Sequence, residues 1–113
     1  MEKVSIIVPV YNAAEYVGKC LESVALQDYK NIEIIVVEDG SDDESPDVCK
    51  EYARRYDNIK VYHDKCGTAG AARNYGMSKA QGEYFIFVDS DCMFPPQWLA
   101  EIEKAQNEHY YDA

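Results

Sequence analysis

Four short apolar runs alternate along the chain with stretches in which apolar residues recur at helical spacing. Residues 4–10 (VSIIVPV) and 32–37 (IEIIVV) are almost continuously apolar, the pattern of strands covered on both faces. Residues 59–63 (IKVYH) and 84–88 (YFIFV) predict two shorter strands. Residues 14–26 set Val17, Cys20, Leu21 and Val24 on one helical face, and Val48, Tyr52, Ala53 and Tyr56 stripe a second helix. Ser45 is expected to be the N-cap of that second helix, with Pro46 at its first position. A turn at residues 67–70 leads into a helix of small residues that runs to about Ala80 and is ended by Gly82. Pro95 and Pro96 are expected to start a last helix carrying Trp98, Leu99 and Ile102.

This order, strand then helix four times over, predicts the α/β class: a Rossmann-like parallel sheet with helices on both faces. In such sheets ligands bind beyond the carboxyl ends of the strands, where the strand order reverses. The informative residues are then those that follow strands. They are Tyr11 and Asn12 after the first, Glu38-Asp39-Gly40-Ser41 after the second, Asp64-Lys65 after the third and Asp89-Ser90-Asp91 after the fourth.

Composition narrows the class of partner. With 113 residues the chain has the length of one domain, and 47% apolar and tyrosine residues are enough to build a core. Twenty-one acids against 11 Lys and Arg leave a net charge of −10, which argues against a nucleic-acid partner. An anionic ligand such as a phosphate would need a cation between it and the protein. No run approaches the roughly 18 apolar residues of a membrane helix, and no secretory signal opens the chain, so a cytoplasmic location is expected. The four cysteines, Cys20, Cys49, Cys66 and Cys92, form no C-x-x-C pair and no zinc spacing with histidine, which points to free thiols. Cys20 and Cys49 fall on apolar helix faces, as buried small hydrophobes do.

Asp89-Ser90-Asp91 is the sharpest chemical feature. Two carboxylates two residues apart, where a buried strand opens into a loop, can face one point and hold a hard divalent cation, Mn2+ or Mg2+. That cation would meet substrate phosphate oxygens and supply the missing positive charge. The same residues also suit an Asx turn or the cap of the following helix. Asp39 precedes Gly40, which allows a sharp turn, and Ser41, whose hydroxyl can hold that turn through backbone amides. So fixed, Asp39 can accept a ring N–H such as that of uracil; a solvated acidic turn is the alternative. Of the neighbouring acids, Asp42, Asp43, Glu44 and Asp47 are expected to be solvated, with Glu44 and Asp47 favouring the helix start. Tyr11 can present a ring face to a base or pack on the sheet edge. Arg73 suits a phosphate, a site carboxylate or a surface ion pair. Lys65 has a weaker claim, and His63 and His109 read as structural or surface residues.

Taken in order, VSIIVPVYN, VVEDGS, AGAARNYG and GEYFIFVDSD resemble the successive signatures of family 2 glycosyltransferases over about residues 3–100. The resemblance implies the nucleotide-binding half of an A-type glycosyltransferase fold. It also implies a nucleoside-diphosphate sugar donor, often uridine-based, and transfer with inversion to a glycan, lipid or protein acceptor in glycan or polysaccharide synthesis. On the matching positions it implies that Pro9 and Tyr11 line the nucleoside pocket, that Asp39 reads the base and that Arg73 lies near the nucleotide. Asp89 and Ser90 then lie beside the nucleotide sugar, and Asp91, with Asp89, holds Mn2+ or Mg2+. Three positions depart from the family pattern. Glu38 stands where Asp is usual, Cys92 where many members carry a further Asp, and Cys66-Gly67-Thr68 where an Asn-Gly-Gly type of turn is usual. A soft thiol is a poor substitute for a carboxylate toward a hard metal.

No residue of 1–113 matches the family's acceptor-deprotonating base, and Asp112 lies too near the end to be nominated. The expectation is a single domain, residues 1–113, forming the donor-binding half of a longer enzyme. A dinucleotide oxidoreductase would need G-x-G-x-x-G after the first strand, where PVYNAA stands. A phosphatase of the haloacid-dehalogenase type places its D-x-D after the first strand, not the fourth. The remaining alternative is a non-catalytic nucleotide-binding or self-associating fragment, a homo-oligomer with Phe94, Trp98 and Leu99 as candidate contacts.

Overall fold

The computed structural model describes residues 2–108. His109 and Asp112 lie outside the described residues. The elements are β1 (Val4–Val10), α1 (Val17–Ala25), β2 (Ile32–Glu38), α2 (Ser45–Arg55), β3 (Ile59–His63), α3 (Ala69–Lys79), β4 (Tyr84–Phe87) and α4 (Trp98–Glu108). All pairings are parallel, in the order β3-β2-β1-β4. The chain steps outward from β1 to β3, then returns across the sheet to place β4 on the other side of β1. That reversal sends α3 to the opposite face from α1, α2 and α4. Two cores follow from it. Val4, Ile6, Val8 and Val10 pack under α1, α2 and α4 with Leu21, Cys49 and Leu99, whereas Ile7, Ile35 and Val37 pack against Ala72 of α3. Consecutive side chains of β1 thus enter different cores, which is why both central strands are apolar at nearly every position.

Gly76 sits where α3 crosses β1. A Cβ there would lie 2.6 Å from Cγ2 of Ile7 and 3.3 Å from Cγ2 of Val37, so the helix rides directly on the sheet. No helix among the described residues is long and apolar enough to cross a membrane.

Several expected boundaries move, each for a local reason. α1 starts at Val17 rather than at residue 14, because Asn12 turns into the left-handed region (φ 49°) and the amides of Ala13 and Ala14 are held by side chains of the β2–α2 loop. The N-cap position of α2 is Glu44, not Ser45; the Ser45 hydroxyl instead accepts the Ala13 amide at 2.8 Å. α3 begins at Ala69, capped by Thr68, whose Oγ1 accepts the Ala71 amide at 3.0 Å, and it ends at Lys79. Gly82 does not end that helix. It gives room to β1, since a Cβ there would lie 2.5 Å from Ser5 Oγ. α4 begins at Trp98, two residues after the prolines, whose carbonyls are used by residues that follow α1. Pro95 O accepts Gln27 Nε2 at 2.7 Å and Pro96 O accepts the Asp28 amide at 2.8 Å.

Two polar residues inside the apolar runs also find a place. Glu33 is buried at the amino end of β2, beside Ser5 in the register of β1. Its Oε2 accepts Ser5 Oγ at 2.6 Å and the Gln81 amide at 2.5 Å, and Lys3 and Lys60 stand 4.0 and 3.8 Å from Oε1. On β4 the aromatic side chains Tyr84, Phe85 and Phe87 are exposed, whereas Leu99 is fully buried. Leu99 is therefore core and not a surface contact. Phe94 and Trp98 are half-buried and stack on each other at 4.0 Å between ring centres.

Candidate functional site

The carboxyl ends of the strands open onto one cleft of about 640 Å³, a volume typical of small-molecule sites. It lies at the switch point, where β1 is flanked by β2 and β4 and the chain reverses direction. Each strand sends a loop into it. Pro9, Tyr11, Asn12 and Tyr16 come from the end of β1 and the loop after it, Asp39 follows β2, Lys65, Thr68 and Arg73 follow β3, and Asp89, Ser90 and Asp91 follow β4. Every residue singled out from the sequence, Pro9, Tyr11, Asp39, Arg73, Asp89, Ser90 and Asp91, thus lines the same cavity.

The loops after β1 and β2 are laced together. The Asn12 amide donates to Ser41 Oγ at 2.9 Å and the Asp42 amide returns the bond to Asn12 Oδ1 at 2.9 Å. Asp43, expected to be solvated, accepts the Ser45 amide at 2.8 Å and the Ala14 amide at 3.2 Å. Its hydrogen bonds with Ser45 hold its carboxyl below the usual aspartate range. Glu38, one carbon longer than the aspartate of the resembling family, is buried and reaches over its own turn. It accepts the Gly40 amide at 3.1 Å, the Ser41 amide at 3.0 Å and the Ser41 hydroxyl. Gly40 takes φ 71°, the left-handed conformation that this turn requires. His63 is not without a partner: it pairs with Glu38 across β2 and β3, with Nδ1 3.9 Å from Oε1.

Asp39 is held by the β3–α3 loop. Its Oδ1 accepts the amides of Cys66 at 2.5 Å and Gly67 at 3.0 Å, and no described residue bonds to Oδ2. The Cys66-Gly67-Thr68 departure thereby becomes a built turn: two amides on Asp39, Gly67 at φ 94°, and Thr68 as the cap of α3. Tyr11 and Tyr16 are 57% and 55% exposed, and both line the cleft.

At the other end of the cleft, Asp89 and Asp91 are exposed, and Arg73 Nη2 stands 3.9 Å from Asp89 Oδ1. One ligand atom each from Asp89, Asp91 and Cys92 lies within 4.8 Å of the others. Two exposed carboxylates and a thiol at that separation fit a single divalent cation by number and type of donor. The turn that groups them is fixed from behind. The Asp89 carbonyl accepts the Cys92 amide at 3.1 Å and the Cys20 thiol at 3.6 Å, and the Val88 amide donates to Ile7 O at 3.0 Å. Cys20 is buried as expected, and burial, followed by the charges of Cys92 and Asp91, pushes its thiol up to about 12. Burial, then the charge of Asp91 and its hydrogen bond, also raises the Cys92 thiol.

Sequence reasoning placed Asn12 at the strand end but missed Tyr16 and Thr68 as lining residues. Tyr16 lies off the apolar stripe of α1, which is the signal that it faces elsewhere.

The comparisons with known proteins agree on one group. The family model for "Glycosyl transferase family 2" matches residues 5–113. Among curated relatives, "Glycosyltransferase GlyA" of Streptococcus pneumoniae is 40% identical over 98% of this chain, which spans 16% of that protein. "Putative glycosyltransferase EpsH" of Bacillus subtilis is 44% identical over 88% of the chain, which spans 29% of that protein. Among solved structures, S. aureus TarS 1-349 in complex with UDP-GlcNAc superposes with a TM-score of 0.86 at 34% identity, covering 97% of this chain and 32% of that one. The mannosyltransferase PcManGT from Pyrobaculum calidifontis, in complex with GDP-Man and Mn2+, has a TM-score of 0.85 at 26% identity, covering 92% of this chain and 32% of that one. The fold is accordingly that of the A-type glycosyltransferases, and the chain belongs to glycosyl transferase family 2.

Proposed function

We propose that this chain is the donor-binding part of a glycosyltransferase that takes a sugar from a nucleoside diphosphate, uridine diphosphate foremost, and transfers it with inversion to a glycan, lipid or protein acceptor. The observation that carries this reading is the shared cleft: a carboxylate with a free oxygen at one end, a carboxylate pair at the other, and an arginine between loops. The relatives support it, since TarS is solved with UDP-GlcNAc and PcManGT with GDP-Man.

Each residue then has a task that its geometry allows. Tyr11 offers an exposed ring face to the base, with Pro9 as a rigid wall beneath it. Asp39, anchored through Oδ1, keeps Oδ2 to accept a ring N–H of the base. Arg73 gives its guanidinium to a phosphate and releases Asp89, from whose Oδ1 its Nη2 stands 3.9 Å. Asp89 and Asp91 would hold Mn2+ or Mg2+, which when bound supplies the positive charge that a departing diphosphate needs. Ser90, between them, lines the cleft and is assigned to the nucleotide sugar. The base that deprotonates the acceptor is assigned to a part of the protein outside residues 1–113, in keeping with the 16–29% of the curated relatives that the chain spans.

Calorimetry with uridine diphosphate tests the reading. Binding should require manganese or magnesium, Asp91→Ala should remove the metal dependence, and Asp39→Ala should weaken nucleoside binding. No heat at millimolar nucleotide with either metal would refute it. An equal response to every nucleoside diphosphate would refute base reading by Asp39 and leave the metal–phosphate contact.

A further inference from the structure

We propose that Cys92 is a third ligand beside Asp89 and Asp91, and that its thiolate turns the site toward zinc and cobalt, which accept sulfur, in preference to magnesium. The proposal rests on the cleft being the donor site, and it concerns which ion that site selects.

The geometry is already close to a coordination shell. The Cys92 thiol donates to Asp91 Oδ1 at 3.6 Å, and a bound ion would take the place of that proton. With zinc–sulfur and zinc–oxygen bonds of about 2.3 and 2.1 Å, a sulfur and an oxygen on a tetrahedral ion are roughly 3.6 Å apart. Asp89 completes the group within 4.8 Å. The side chains are held together by the backbone: the Asp89 carbonyl takes both the Cys92 amide and the buried Cys20 thiol, so the turn cannot open without losing both bonds. Cys92 is half-buried while the two aspartates are exposed on the cleft. A sulfur there would reach an ion from the protein side, leaving Asp89 and Asp91 to face the cleft.

Softness of the donor decides the selectivity. Magnesium takes oxygen ligands in near-ideal octahedra and gains little from sulfur, whereas affinity for a site with a thiolate rises from manganese through cobalt and is high for zinc. On binding, the thiol proton leaves to solvent as the metal–sulfur bond forms, so charge and atoms balance without a redox partner. A carboxylate at position 92 would give three oxygens and no such bias.

Cobalt(II) titration of the purified protein tests this by absorbance. A saturable sulfur-to-cobalt charge-transfer band is expected in the near ultraviolet. It should vanish in Cys92→Ser, persist in Cys66→Ser, and be displaced by equimolar zinc but not by equimolar magnesium. Cys92→Ser should weaken zinc binding about tenfold or more. Cys92→Asp, which keeps a charged ligand there, should lose the band and gain magnesium affinity. A missing band, a band that survives Cys92→Ser, or a zinc-over-magnesium preference equal in the wild type and in Cys92→Asp would overturn the proposal. Uridine diphosphate binding is followed in parallel with manganese. If no nucleotide binds to the wild type while the cobalt band behaves as stated, the donor reading fails and the thiolate ligand stands; the reverse result overturns the ligand alone.

Discussion

The Oδ1 atom of Asp39 accepts the Cys66 amide at 2.5 Å, joining the end of β2 to the loop that leads into α3. With the Gly67 amide on the same oxygen, one carboxylate both lines the cleft and holds the loop carrying the cap of α3. Asp39→Ala is therefore expected to lose nucleoside affinity and also about 1–3 kcal/mol of stability, because two amides lose a buried acceptor. Asp39→Asn keeps an acceptor at Oδ1 and should recover most of the stability but not the base contact. Urea denaturation and calorimetry on the two variants separate these effects.

Glu33 makes the amino end of the sheet sensitive to acid. Burial alone would raise its carboxyl, but the Ser5 hydroxyl, the Gln81 amide and the lysines Lys3 and Lys60 outweigh it and hold the group below its ordinary value of 4.5. A folded value lower than the unfolded one means stability that is present above 4.5 and lost as pH falls through the folded value. Thermal melts from pH 7 down to pH 3 should therefore show a steeper acid loss in the wild type than in Glu33→Gln. Equal slopes would remove Glu33 from the account.

Gly76 sets the distance between α3 and the sheet. Alanine favours a helix interior by roughly 1 kcal/mol over glycine, yet here its Cβ would lie 2.6 Å from an Ile7 methyl that is itself fully buried. Gly76→Ala is expected to destabilise by about 1–2 kcal/mol net. Because α3 carries Arg73, the variant should also weaken diphosphate binding. Denaturation midpoints and calorimetry read both effects.

The four thiols should divide into two classes. Cys20 and Cys49 are buried and pushed up to about 12, chiefly by that burial, so a chromogenic disulfide reagent should reach them only on unfolding. Cys66 and Cys92 are only half-buried and should react in the native state. Native labelling that stops at two thiols, with the other two released by denaturant, is the expected stoichiometry.

Much of the architecture was legible in the chain itself. Two apolar runs without alternation require strands covered on both faces, and helical stripes between them require parallel crossovers. Those rules already place Tyr11, Asp39 and the Asp89-Ser90-Asp91 turn at one end of the sheet. Local pattern does not show which polar side chain will serve which amide. Ser45 looks like a cap and instead serves Ala13, and Asp43, exposed as expected, also binds two amides. Ala13 and Ala14 lie 32 and 29 residues from Ser45 and Asp43 in sequence and are brought close by parallel β1–β2 pairing.

The sequence by itself determined the order of elements, the two-faced sheet and the identity of the residues at the strand ends, because periodicity and turn chemistry act over a few positions. Only the tertiary structure decided that Asp39 would spend one oxygen on the β3–α3 loop, that Leu99 would be core, and that the Asp89 carbonyl would take the buried Cys20 thiol. Those outcomes depend on strand order and on the return of the chain across the sheet, which bring together groups that no short-range pattern links.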